Sequence, residues 1–262
     1  MGNSGYYCRT LNHAGAAIER SMSVLDSWQP GMPSADLYAR MLLEGREAGF
    51  AASSLKHIVS EVFKTRFLSP TALPWTRVLK AMRSEFSSEV IEQICFFLTA
   101  RAEAVLSDFL TMEYWPRLAR QEQFVTIETL RAFLAQAVEE GRGGGKWTES
   151  RFRRVTKCLS SVCHGFHLFK RNGEQWLFTP PVLLNEVALL LVYDLKEQGY
   201  DGKLILDHPD WRLFGLSQDE VRRLLLDPVF TPYFEIHESL TKTVFVWCVE
   251  TMIEAVRHYV AR

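Results

Sequence analysis

No stretch of this sequence is long and apolar enough to span a bilayer. The longest unbroken apolar run is Val187–Tyr193, against the roughly 20 residues a membrane helix needs. The N-terminus lacks the apolar core of a signal peptide, and Tyr6 stands where N-myristoylation requires Ser or Thr. A cytoplasmic protein is the expectation. Net charge is also nearly absent, with 30 Lys and Arg against 31 Asp and Glu. That balance excludes a chain coated in positive charge, so any cationic surface is local. Cysteines are few and odd in number: Cys8, Cys95, Cys158, Cys163 and Cys248, with no CxxC pair. In a chain of this length they read as reduced thiols, not as a disulfide framework.

Signatures of catalysis and of bound cofactors are missing as well. The glycine-rich GRGGGKWT has the look of a phosphate-binding loop, but its first required glycine falls on Glu140. Trp147 replaces the Ser or Thr after Lys146, and no strand precedes it. Cys158, Cys163, His164 and His167 invite a metal reading, yet the two cysteines lie five apart on one helix and point differently. No second ligand pair stands at zinc-finger spacing. Asp207, Asp210 and Glu220 near His208 suit loop and capping roles. His13, His57, His237 and His258 are scattered. The expectation is a protein with no catalytic residues, no metal and no cofactor.

What remains is a globular composition, 47% hydrophobic and 23% charged, sufficient for a sizeable core. Apolar residues at helical spacing predict a helix from Asn12 to Asp26, a second capped by Ser34 and running to about Ala48, and a third opened by Ser54. Pro74 begins another. A long helix from Ser87 or Ser88 is expected to reach Tyr114 and stop at Pro116. Thr126 opens a helix ending at Glu140, and Thr148 caps one to about Cys163. The pattern then alternates through FHLFK and QWLFT around Asn172-Gly173, a hairpin signal. Helices at Leu183–Gln198 and Gln218–Leu226, a second hairpin in YFEIHESLTKTVFVW and a closing helix at 249–260 complete the chain. The fold class is mainly α. A helical bundle is assigned to residues 1–122, a winged helix-turn-helix to 123–182, and an α+β portion packed on it to 183–262.

Helix, turn, helix, hairpin is the order of a winged helix-turn-helix, and charge concentrates there. From Gly141 to Arg171, Arg142, Lys146, Arg151, Arg153, Arg154, Lys157, Lys170 and Arg171 stand against Glu149 alone, a local +7 in a chain of net -1. At about 100° per residue, Phe152, Val155, Leu159 and Val162 share one face. Ser150, Arg153, Arg154, Lys157, Ser161 and His164 share the other, with Arg151 on its flank. A face of cations and small hydroxyls suits a helix lying in a major groove. Lys170, Arg171 and Asn172 at the hairpin tip would reach neighbouring phosphates. The candidate DNA-binding residues are therefore Lys146, Ser150, Arg151, Arg153, Arg154, Lys157, Ser161, Lys170, Arg171 and Asn172. A second basic stretch, Lys56, Lys64, Arg66, Arg77, Lys80 and Arg83 against Glu61, reads equally as a wider DNA footprint or as ordinary helix surface.

LSDFL at Leu106–Leu110, KWTESRFRRVTKCLSSV at Lys146–Val162, the helix end from Tyr193 to Gly199 and, most distinctively, DHPDWRLFGL at Asp207–Leu216 resemble the BrxA family of bacterial BREX phage-defence systems. The resemblance covers about residues 36–260. It implies an N-terminal domain similar to the NusB transcription factor, a winged-helix portion, and sequence-tolerant binding of double-stranded DNA. It implies no catalytic motif and no residue-level site. Other BREX proteins, such as a methyltransferase and an ATPase, are the implied partners. A protein-interaction scaffold and an RNA-binding adaptor are the alternatives. Against RNA, no aromatic platform for stacked bases is seen beside the basic patch.

Overall fold

The computed structural model describes residues 17–45, 52–239 and 242–261. The described chain is mainly helical, with two small antiparallel sheets. It forms two compact units, Met1–Leu73 with Cys95–Pro181 and Pro74–Ile94 with Val182–Arg262. Neither is continuous in sequence, which differs from the continuous blocks 1–122, 123–182 and 183–262. Within the second unit, Gln93 shows why. Its amide nitrogen donates to the Val182 carbonyl at 2.6 Å, and its oxygen accepts from the Leu184 N–H at 3.0 Å. Chain order alone does not disclose a partner about 90 residues away.

The first unit begins with α1 (Ile18–Ser27) and α2 (Ser34–Leu43). Asn12, the expected cap of α1, lies outside the described residues. Ser34 is the first helical residue of α2 and makes no side-chain cap; Pro33 before it already supplies the extended entry. Ser54 falls inside α3 (Ala52–His57), which continues as a π-helical stretch Ile58–Phe63 and then α4 (Lys64–Phe67). The chain then passes through the second unit with α5 (Leu73–Met82) and returns to the first within α6 (Ser88–Ala102), at Cys95.

The long helix predicted to reach Tyr114 breaks at Glu103, whose φ of -114° and ψ of 93° are extended, before α7 (Ala104–Phe109) and a π turn at Leu110–Tyr114. The break carries a buried ion pair: Arg66 from α4 lies 3.3 Å from the Glu103 carboxylate, both side chains essentially sealed from solvent. Pro116 does not end the helical path: it stands at the second residue of α8 (Trp115–Ala119), directly after the π turn.

A strand that periodicity did not suggest follows, β1 (Phe124–Thr126). Thr126 then caps α9 (Ile127–Glu139) in a reciprocal box with Thr129. Thr148 caps α10 (Glu149–Gly165) by accepting from the Arg151 N–H. The hairpin β2 (Phe169–Asn172) and β3 (Gln175–Phe178) joins β1 in the order β1-β3-β2. Asn172 pairs with Gln175, so the turn is Gly173-Glu174, one residue later than expected. Gly173 takes a φ of +61°, a region glycine enters without steric cost.

In the second unit α11 (Asn185–Glu197) is buried from Val187 to Leu195, which explains the apolar run that stood out in the sequence. The Asp207–Leu216 stretch follows α12 (Lys203–Leu206) and contains a 3₁₀ helix at Pro209–Phe214, with buried Trp211 donating to the Ile205 carbonyl at 2.7 Å. Ser217 and Glu220 form a capping box on α13 (Gln218–Leu225). The second hairpin is β4 (Phe234–Glu238) with β5 (Thr243–Trp247), and α14 (Met252–Val260) closes the chain. No described helix is long and apolar enough to cross a membrane.

Candidate nucleic-acid interface

The two faces of α10 are as sharply separated as the sequence implies. Val155, Leu159 and Val162 are buried, together with Cys163, while Ser150, Arg153, Arg154, Lys157, Ser161 and His164 are exposed. Phe152 is a correction: it is half-buried and packs beside the Trp147 ring at 5.2 Å, on the flank of the stripe. Leu159→Ala removes a fully buried side chain and is expected to cost about 2–5 kcal/mol in a urea or thermal melt.

The glycine-rich loop between α9 and α10 has a packing role. A Cβ on Gly143 would stand 2.6 Å from Val138 Cγ2 and 2.9 Å from Trp147 Nε1, and that indole nitrogen donates to the Gly143 carbonyl at 2.9 Å. The loop thus closes on Trp147, which fixes the start of α10. Gly143→Ala is expected to push the indole out of place and cost about 1–3 kcal/mol, the range for overpacking, measured by the same melts. Arg142 is structural too. It pairs with Asp108 at 2.8 Å and Glu140 at 2.6 Å and lies over the Phe133 ring, so it leaves the pool of cations open to a ligand.

The hairpin is fastened from below by rings. Tyr114 lies 5.0 Å from Phe178 and 5.9 Å from Phe169, and Phe109 lies 6.0 Å from Phe169. The Tyr114 hydroxyl donates to the Leu168 carbonyl at 3.1 Å, and burial raises its pKa well above the ordinary phenol value. A phenol held neutral in this way keeps donating at any physiological pH. Because strand residues alternate, the register puts Arg171 and Trp176 on the face toward α10, and Lys170 and Asn172 on the other.

Among the ten predicted site residues, Arg153, Lys157, Ser161 and Arg171 line a single groove of about 630 Å³ between α10, the start of α9 and the hairpin. Lys146, Ser150, Arg154, Lys170 and Asn172 are exposed outside its lining, and Arg151 lies with its guanidinium 4.6 Å above the Trp147 ring. Arg153, Arg154, Lys157 and Lys170 pair with no carboxylate among the described residues. Glu149, the one acid nearby in sequence, is engaged by Arg131 of α9.

The sequence reading missed part of this groove. Trp176 and His164 form one wall, with ring centroids 5.7 Å apart, so an aromatic side chain does stand beside the basic patch. Inward alternation along QWLFT was the signal for it. His164 Nδ1 donates to the Phe169 carbonyl at 3.0 Å, which fixes the orientation of the ring.

The second basic stretch loses Arg66 as a surface cation. Arg66 is buried against Glu103, and Lys56 and Lys64 belong to the first unit while Arg77, Lys80 and Arg83 belong to the second. Of the thiols, Cys163 is fully buried and burial pushes its pKa far up. Cys158 is half-buried, and burial raises its pKa against the opposing effect of Arg154 and Lys157. Cys95 is buried and Cys248 exposed. Cys8 lies outside the described residues. Among the described residues, no three His, Cys, Asp or Glu side chains gather as a metal cage.

The BrxA family profile matches residues 6–193, and the chain is a member of that family, which identifies it as a BREX-type phage-defence protein. The match ends at Tyr193 and leaves the Asp207–Leu216 stretch outside it. No curated protein and no solved structure matches the chain.

Proposed function

We propose that residues 123–182 form a winged helix-turn-helix with which the chain holds double-stranded DNA, largely without regard to sequence, in bacterial defence against phage. In this reading α10 enters the major groove, α9 precedes it across the backbone, and β2–β3 is the wing. One observation carries the reading: Arg153, Arg154 and Lys157 form an exposed row with no carboxylate partner among the described residues. On an ordinary solvated helix, cations pair with acids three or four positions away. The acid at that spacing, Glu149 before Arg153, is engaged by Arg131 instead, and a row left without a partner acid repels itself and gains from a polyanion. The strand order β1-β3-β2 supports the wing, since β1 ties the hairpin back to the helix pair.

The helices before residue 123 are taken as the NusB-like bundle that the family resemblance implies. The protein acts without catalysis of its own, alongside other BREX proteins such as a methyltransferase and an ATPase. Gel shifts with several unrelated duplexes, their separated strands and an RNA of equal length test this. The expected result is comparable retardation of every duplex and weaker retardation of the others. Preference for RNA, or no duplex shift at 50 mM salt, would overturn it in favour of the adaptor or scaffold alternatives.

A further inference from the structure

We infer that the groove beside α10 is a pocket for one unstacked nucleotide, which shares Arg153 and Lys157 with the helix face that meets the duplex. Its volume of about 630 Å³ lies within the range of small-ligand sites. The walls have the two chemistries a nucleotide needs. Arg153, Lys157 and Arg171 offer charge and N–H donors for a phosphate. Trp176 offers a half-buried aromatic ring, flanked by His164 at 5.7 Å and by the Arg171 guanidinium at 5.8 Å, against which a base can stack.

The hydroxyls of the floor are poised to accept. Thr156 Oγ1 donates to the Phe152 carbonyl at 2.8 Å and Ser160 Oγ donates to the Lys157 carbonyl at 3.0 Å, so each proton is committed and the lone pairs remain. Glu128 and Glu174 at the opening add acceptors suited to a base's exocyclic amine. Hydrogen bonds to Thr126 and within its own backbone hold the Glu128 carboxyl below the usual range, so it stays an acceptor at neutral pH. A helix face that only tracks phosphates needs neither an aromatic wall nor carboxylates.

The nucleotide has two sources, a free nucleoside monophosphate or an unpaired nucleotide protruding from a DNA end. The second rests on the DNA-binding reading above and the first does not. The test compares a blunt duplex, the same duplex with one unpaired 3′ or 5′ nucleotide, and free dAMP, by fluorescence anisotropy and calorimetry. Binding of the extended duplex is expected to be about tenfold tighter than that of the blunt one, the gain from stacking one base. Trp176→Leu, which keeps apolar bulk against Phe169, is expected to bring that ratio to about one, and Trp176→Phe to retain most of it.

Saturable dAMP binding that Trp176→Leu abolishes assigns the pocket to free nucleotides as well. Equal binding of blunt and extended duplexes together with no dAMP binding overturns the inference, as does a gain that survives Trp176→Leu. The blunt duplex failing to bind while dAMP binds overturns the DNA-binding reading and leaves the pocket standing.

Discussion

Alanine at Arg153, Arg154 and Lys157 together is expected to weaken duplex binding by roughly 100- to 1,000-fold at 0.1 M salt while leaving the melting temperature nearly unchanged. The size follows from counterion release: each neutralised phosphate contributes close to one logarithmic unit at that salt concentration. The unchanged fold follows from geometry. The three side chains are exposed and point away from Val155, Leu159 and Val162, and exposed substitutions shift stability by within about 0.5 kcal/mol. Adding Lys170→Ala and Arg171→Ala is expected to weaken binding further, because the hairpin tip offers two more exposed cations for neighbouring phosphates. Anisotropy titrations and thermal melts on the same preparations check both halves. A triple variant that melts normally and binds like the parent removes α10 from the interface.

Glu103→Ala is expected to destabilise the protein by about 3–5 kcal/mol, the cost of leaving a buried charge without its partner. Arg66 is sealed from solvent, and burial pulls its pKa down while the Glu103 carboxylate opposes that pull. Removing the carboxylate leaves the desolvation and takes away the compensation. The cost is comparable with the whole stability of a marginal domain, so urea unfolding should begin at much lower denaturant. The double replacement Arg66→Met with Glu103→Leu is expected to recover most of the loss, since apolar pairs of similar volume commonly substitute for buried ion pairs. Failure of the double variant to improve on Glu103→Ala would mean that the helix break itself, and not the charge, carries the cost.

What could be read in advance was local. Thr126, Thr148 and Ser217 announce helix starts because capping acts within three residues, and Phe169–Phe178 announces a hairpin by alternation. The two faces of α10 follow from a fixed 100° rotation. The misses are tertiary. Three residues of β1 are too few for a period, and they form a strand because β3 lies beside them. Glu103 breaks a strongly helical stretch because a buried arginine meets it from 37 positions away. The unit boundaries depend on partners such as Gln93 and Val182. For the site, the basic face was visible and the groove was not. Its far walls come from the start of α9 and from Trp176, and only the fold brings those to α10.

The most direct test of the account is duplex affinity measured across a salt series for the parent and the triple-alanine variant. The account predicts a steep linear fall of log K with log salt for the parent, and a slope shallower by close to three units for the variant, one per lost phosphate contact. Identical slopes for the two proteins, or binding indifferent to salt, would contradict it.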